Sequence, residues 1–288
     1  MEQDRMDPVS EWFGGDAPEL VLQRALGRPV RIERLVPGPV RQDRRALFRA
    51  TLSGGEVVGV KFRRRRLRQV FDDWRRLSAG PGGFRVPAPI GLVEPPGCIV
   101  FRWEEGRRLI DTLRSEGEGA AWAGMAGRAL VALHDSAVRL ARRFTARDEV
   151  RTLDRWVRRA REMEHPRGDD LLAGVSEVQS RIAVDEGPLT TGHRDFYPFQ
   201  VLATEPPTLL DLDEVAACEV ALDAGNFAAH LAVDGLSHRI EPFVAAALGS
   251  DAVLRRREAF YRRSAFLRLS SVYWVRGDGE RALSVPLD

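Results

Sequence analysis

From residue 31 the chain begins to alternate apolar and polar side chains. Arg31-Ile32-Glu33-Arg34-Leu35-Val36 has the period of a half-buried strand, and Pro37-Gly38-Pro39 is expected to end it. Residues 46–52 read as a second strand and residues 57–62 as a third. The link Ser53-Gly54-Gly55-Glu56 is short and glycine-rich, which suits an antiparallel hairpin. A charged helix is expected from about Leu67 to Ser78, stopped by Ala79-Gly80-Pro81-Gly82-Gly83. Prolines on both sides frame a short segment at 90–93, and Cys98-Ile99-Val100-Phe101 is a further strand.

After Gly106 the period becomes helical. Trp122, Met125, Ala126, Leu130, Leu133 and Ala137 are expected on one helical face, and residues 151–164 form a charged amphipathic helix. Strand-like text returns near residue 189, and helical stretches run from about Ala224 onward. A β-rich first third, a short connector and a mostly helical remainder predict an α+β protein of two lobes, residues 1–103 and 104–288.

Composition narrows the picture. The 288 residues are 44% hydrophobic and 30% charged, as in ordinary globular proteins, with a formal net charge of only +2. No global field points to nucleic acid or a membrane surface. No apolar run is long enough to span a bilayer, and the polar Met1-Glu2-Gln3-Asp4-Arg5 start suggests no secretory leader. Cys98 and Cys218 make neither a disulfide framework nor a metal-ligand pair by spacing, so buried thiols in a reducing, cytoplasmic setting are expected. The run Arg63-Arg64-Arg65-Arg66 invites an RNA- or anion-binding reading, but without interleaved aromatics a solvated helix start is the plainer one.

The chemistry concentrates in His193-Arg194-Asp195-Phe196-Tyr197-Pro198-Phe199-Gln200, followed sixteen residues after Asp195 by Asp211 in Leu210-Asp211-Leu212-Asp213. Kinase catalytic loops have H-R-D, four residues, an amide residue, and then a metal-binding Asp beyond a short hairpin. One carboxylate, Asp195, orients an attacking hydroxyl and takes its proton, with His193 beside it. A second, Asp211, with Asp213 nearby, holds Mg2+, and the Gln200 amide oxygen adds a hard ligand. A buried His–Asp pair bracing a turn is the competing reading of His193 and Asp195. Lys61 ends the apolar strand Val58-Gly59-Val60-Lys61 and is the only lysine among 44 basic residues. A compact ammonium suits a site between phosphates and a helix carboxylate, which Asp72 or Asp73 can supply.

These pieces resemble the aminoglycoside phosphotransferase family, which includes choline-kinase-like enzymes. The resemblance also takes in the hinge-like Ile99-Val100-Phe101-Arg102-Trp103-Glu104-Glu105-Gly106, Ala132-Leu133-His134, and Ala221-Leu222-Asp223-Ala224-Gly225-Asn226-Phe227. It implies a bilobal protein-kinase-like fold, with a nucleotide-binding N-lobe and a catalytic and substrate-binding C-lobe. It further implies ATP or GTP with Mg2+, and a hydroxylated small molecule as acceptor. Lys61, Asp72, Asp73, Gly38, Phe101 and Trp103 become the nucleotide candidates. Gln200 stands where the family usually has Asn, Glu219 where it has Asp, and Pro37 and Pro39 flank the single glycine of the expected phosphate loop. These departures keep a second reading open, a weak or inactive kinase fold that binds a nucleotide or a partner protein.

Overall fold

The computed structural model describes residues 12–13, 17–41, 45–80, 82–181 and 187–287. The chain divides into two compact units, Met1–Gly80 with Val86–Glu105, and Pro81–Arg85 with Gly106–Asp288.

The first unit is built on a five-stranded antiparallel sheet in the order β1-β2-β3-β5-β4. Its strands are β1 (Ile32–Arg41), β2 (Arg45–Leu52), β3 (Val57–Arg63), β4 (Pro89–Val93) and β5 (Cys98–Arg102), with helices α1 (Pro18–Leu26) and α2 (Leu67–Ser78). The expected Gly-rich turn joins β2 to β3, where Gly54 and Gly55 both take positive φ. One face of the sheet is dry. Phe48, Phe62, Val58, Val60 and Val100 pack there against Trp12, Phe13, Val21 and Leu22, and Phe13 meets Phe62 edge-on at 4.8 Å. The other face carries Leu47, Lys61 and Ile99 side by side in register, with Arg49, Gly59 and Phe101 in the next row.

Pro37-Gly38-Pro39 does not end the strand as expected. β1 runs through it to Arg41, with the register shifting between Pro37 and Val40. Proline is tolerated because β1 is a sheet edge and the shift leaves its missing N–H without a ladder partner.

The second unit contains the helices α3 (Leu109–Leu113), α4 (Gly119–Asp135), α5 (Ala146–Glu162), α6 (Gly168–Arg181), α7 (Val220–Val233), α8 (Ile240–Leu248), α9 (Ala252–Val275) and α10 (Gly279–Ser284). Two small ribbons complete it: β6 (Thr190–Gly192) with β9 (Ala216–Cys218), and β7 (Val201–Leu202) with β8 (Thr208–Leu209). The helix expected from residue 151 begins at Ala146, because Thr145 and Asp148 form a capping box. On α4 the buried face is Ala123, Ala126, Gly127, Leu130, Leu133 and His134. Trp122 and Met125 are only half-buried, and Ala137 lies beyond the helix, exposed and at positive φ. A Cβ on Gly127 would press on the Phe243 carbonyl of α8 at 2.6 Å, so close helix packing turns the small residues inward. Among the described residues no helix is long and apolar enough to cross a membrane.

Candidate active site

The loop from β6 to β7 carries His193 to Gln200, and the β7–β8 ribbon returns the chain to Asp211. Its two ends are tied where Leu210 N–H donates to the Gln200 carbonyl at 2.8 Å. This brings the Gln200 amide, through Nε2, within 3.4 Å of Asp211 Oδ2. The same amide lies 3.3 Å from the Tyr197 hydroxyl. Burial, aided by the nearby charges of Asp195 and Asp211, pushes the Tyr197 phenol up to about 12. Asp195 and Asp211 are half-buried, whereas Asp213 is only 2% exposed in the turn Leu212–Glu214.

Arg194 and Asp211 both stand in the left-handed region, at φ 68° and 53°. For residues with a Cβ that conformation costs about 1–3 kcal/mol and persists only where the surroundings hold it. Asp223, fully buried near the start of α7, supplies much of that hold. Its carboxylate accepts the backbone N–H of His193 at 2.8 Å and of Arg194 at 2.7 Å. His134 Nε2 donates to the same group at 3.0 Å, while its Nδ1 meets the Thr190 hydroxyl at 2.6 Å. Burial by itself would raise the Asp223 carboxyl, but the hydrogen bond and charge of His134, with help from His193, hold it below the ordinary carboxylate range. The His193 ring is wholly buried, and its Nε2–H donates to the Leu210 carbonyl at 2.8 Å, next to Asp211.

Glu219 has a visible place. It is clamped by Arg257 of α9 in an ion pair and accepts the Tyr261 hydroxyl at 2.8 Å. Sequence reasoning missed two further neighbours. Tyr197 stacks on His230 of α7 at 4.3 Å, and burial, with Arg268 and Arg281 close by, lowers the His230 imidazole to about 3. Only spacing along α7 could have hinted at His230, which lies two turns beyond Asp223 on the same helix.

In the first unit Lys61 is 8% exposed and Asp73 2%, whereas Asp72 is half-buried. Asp73 accepts a hydrogen bond from Arg76 at 2.8 Å. Helix α2 lies over the face of the sheet that carries Lys61, because its Trp74 packs 5.0 Å from the Phe101 ring. Phe101 itself fills the space above Gly59, where a Cβ would run into its ring. Trp103 is half-buried, with the Arg49 guanidinium 5.5 Å from its ring centroid and Arg49 ion-paired to Glu105. Gly38 is exposed within β1.

Residues 39–261 match the family model described as "Phosphotransferase enzyme family", and the chain belongs to that family. No curated protein matches the sequence. Solved structures are similar in fold across nearly the whole chain. A thermostable mutant of an aminoglycoside phosphotransferase has a TM-score of 0.70 at 13% identity, covering 92% of this chain and 94% of that one. Spectinomycin phosphotransferase, solved with ADP and spectinomycin, has a TM-score of 0.66 at 15% identity, covering 94% and 93%. A choline/ethanolamine kinase family protein from Mesorhizobium loti has a TM-score of 0.62 at 17% identity, covering 88% and 82%. The fold is thus protein-kinase-like, with an antiparallel sheet N-lobe and a mostly helical C-lobe, and the family's chemistry is phosphotransfer.

Proposed function

We propose that the chain transfers the γ-phosphoryl group of ATP or GTP to a hydroxyl of a small molecule, with Asp195 as general base. The observation that carries this reading is the convergence of one loop and one ribbon. Together they set Asp195 in a backbone held by Asp223 and bring Gln200 within 3.4 Å of Asp211.

The donor set fits Mg2+. A half-turn of the Gln200 amide presents Oε1 beside the Asp211 carboxylate, giving the hard oxygen ligands this ion takes. When bound, Mg2+ neutralises charge on the transferring phosphate. Asp195 orients the acceptor hydroxyl and receives its proton. His193 does not exchange protons in this account; its buried bond to Leu210 positions the segment that carries Asp211. Asp213, buried in its turn, is a ligand candidate by sequence position alone.

In the N-lobe, Lys61 meets phosphate charge. Asp73 is its carboxylate partner in preference to Asp72, because a buried ammonium is stable only beside a buried counter-charge. Trp103 is the aromatic candidate for the base, Phe101 is a packing residue over Gly59, and Gly38 gives backbone access along β1.

The acceptor is a neutral or anionic alcohol rather than a polycation. Three carboxylates that could have met ammonium groups are engaged by arginines: Glu214 with Arg142, Glu219 with Arg257, and Asp234 with Arg281. The two buried thiols, both free, suit a cytoplasmic enzyme. The alternative, a weak or inactive kinase fold that binds a nucleotide or a partner protein, draws on the Gln200 amide, which turns its N–H rather than its oxygen towards Asp211.

One experiment separates the two readings. The protein is incubated with Mg2+, ATP or GTP, and a panel of neutral, anionic and polycationic alcohols, then assayed by mass spectrometry. A gain of one phosphoryl group on an alcohol supports transfer; nucleotide binding without consumption of any donor overturns it.

A further inference from the structure

Helix α7 grips the loop of Asp195 at a second point. One turn beyond Asp223, Asn226 is 2% exposed and donates from Nδ2 to the Phe196 carbonyl at 2.9 Å. That carbonyl belongs to the peptide unit directly after the one that follows Asp195. Asn226 Oδ1 in turn accepts from Arg268 of α9 at 2.6 Å. Behind Arg268 stands Glu149 of α5, its Oε1 3.5 Å from Arg268 Nε and 2.9 Å from the Ser264 hydroxyl. A chain of polar contacts thus runs from α5 through α9 and α7 to the backbone beside Asp195.

The residue types are specific to that task. The amide donates to the carbonyl while accepting from the guanidinium, which neither the isosteric carboxylate nor an apolar side chain can do. A carboxylate in place of Asn226 would keep the arginine but face the carbonyl with a like partial charge. An apolar residue would leave the Phe196 carbonyl and the Arg268 donor buried and unmatched. Burying Glu149 and Arg268 gains little stability over apolar packing of the same volume, so such a network points to geometric control. The Phe196 ring already stacks on Phe227 at 5.1 Å and fixes its own side chain. The Asn226 bond fixes the 196–197 peptide plane, and so anchors the loop backbone one residue beyond Asp195.

We propose that Asn226 and Arg268 are positioning residues for Asp195, acting through the Phe196 carbonyl. The proposal rests on Asp195 being the general base, and its test has one arm that does not. Full-length Asn226→Asp and Arg268→Lys are compared with the parent by thermal melting, by steady-state turnover of Mg·ATP, and by amide hydrogen exchange across residues 194–197. Asn226→Asp keeps an acceptor oxygen for Arg268, and thermal melting reads the cost of the lost bond to Phe196 separately from turnover. Its kcat should fall by about 10–100-fold with KM for ATP within twofold, since misplacing a reacting group by about 1 Å costs on that order. Exchange at 194–197 should quicken. Arg268→Lys, which still reaches Asn226 with a charged donor, should recover most of kcat. Parent-like turnover and exchange in Asn226→Asp would overturn the proposal. So would a fall in kcat that merely follows a fall in melting temperature. If the parent itself turns over neither ATP nor GTP, the phosphotransferase reading fails and the exchange arm decides alone: unchanged exchange removes the positioning role.

Discussion

Asp223 receives the backbone N–H of Arg194 at 2.7 Å while Arg194 holds a φ of 68°. The two facts belong together. A left-handed arginine is strained, and a buried carboxylate that takes two successive N–H groups supplies the compensation. The guanidinium of Arg194 is turned away onto the Phe144 ring, 3.1 Å from its centroid, so its backbone rather than its charge meets Asp223.

Asp223→Ala leaves His134 and two backbone N–H groups buried without an acceptor. The expected loss is about 3–5 kcal/mol by urea denaturation at neutral pH. Asp223→Asn, which keeps one acceptor oxygen, should lose less. A change below about 1 kcal/mol for the alanine variant would show that the loop is held elsewhere.

The proposed pairing of Lys61 with Asp73 is tested by substitution on both sides. Lys61→Arg should not restore what Lys61→Ala loses in Mg·ATP affinity, because the planar guanidinium is wrong in shape for a site between a carboxylate and phosphates. Asp73→Asn should weaken nucleotide binding more than Asp72→Asn does. Equal effects from the two aspartates in calorimetric titration with Mg·ATP would remove Asp73 as the partner of Lys61.

His230 sets a pH dependence of stability. Its folded-state value, lowered to about 3 by burial and by Arg268 and Arg281, lies below the unfolded value of 6.5. As pH falls below 6.5 the unfolded chain takes up a proton that the folded chain refuses, so stability is lost progressively towards acid. Between pH 6.5 and 5 this costs about 2 kcal/mol. His230→Phe keeps a ring against Tyr197 and removes the titration, so its stability should vary less over that window. Asp223, lowered rather than raised, contributes its own acid lability only below the usual carboxylate range, outside this window. Identical pH slopes for parent and variant in urea titrations would contradict the assignment.

The residues readable from the sequence are those whose partners lie close along the chain. His193, Asp195, Gln200 and Asp211 sit on one loop and one ribbon, and Lys61 marks itself as the only lysine in an arginine-rich chain. The hairpin of β2 and β3 and the span of α2 follow from local pattern for the same reason. What holds the loop could not be read this way. Glu149, Asn226 and Arg268 come from three helices far apart in sequence, and each alone looks like an ordinary helical polar residue. The inward face of α4 was legible only in part: Ala126, Leu130 and Leu133 follow from periodicity, but Ala123 and Gly127 do not, since close contact with α8 favours small residues over the larger apolar ones that a periodicity count weighs most. The continuation of β1 through two prolines depends on its being an edge, which only the assembled sheet reveals.

Asp195→Asn is the most direct test of the account, measured as the rate of phosphoryl transfer from Mg·ATP to an accepted alcohol. The amide keeps size and hydrogen bonding but cannot take the hydroxyl proton. A fall of about 10²–10⁴-fold in kcat, with ATP affinity and melting temperature near the parent's, is the expected result. Transfer within a few-fold of the parent would contradict the claim that Asp195 is the catalytic base.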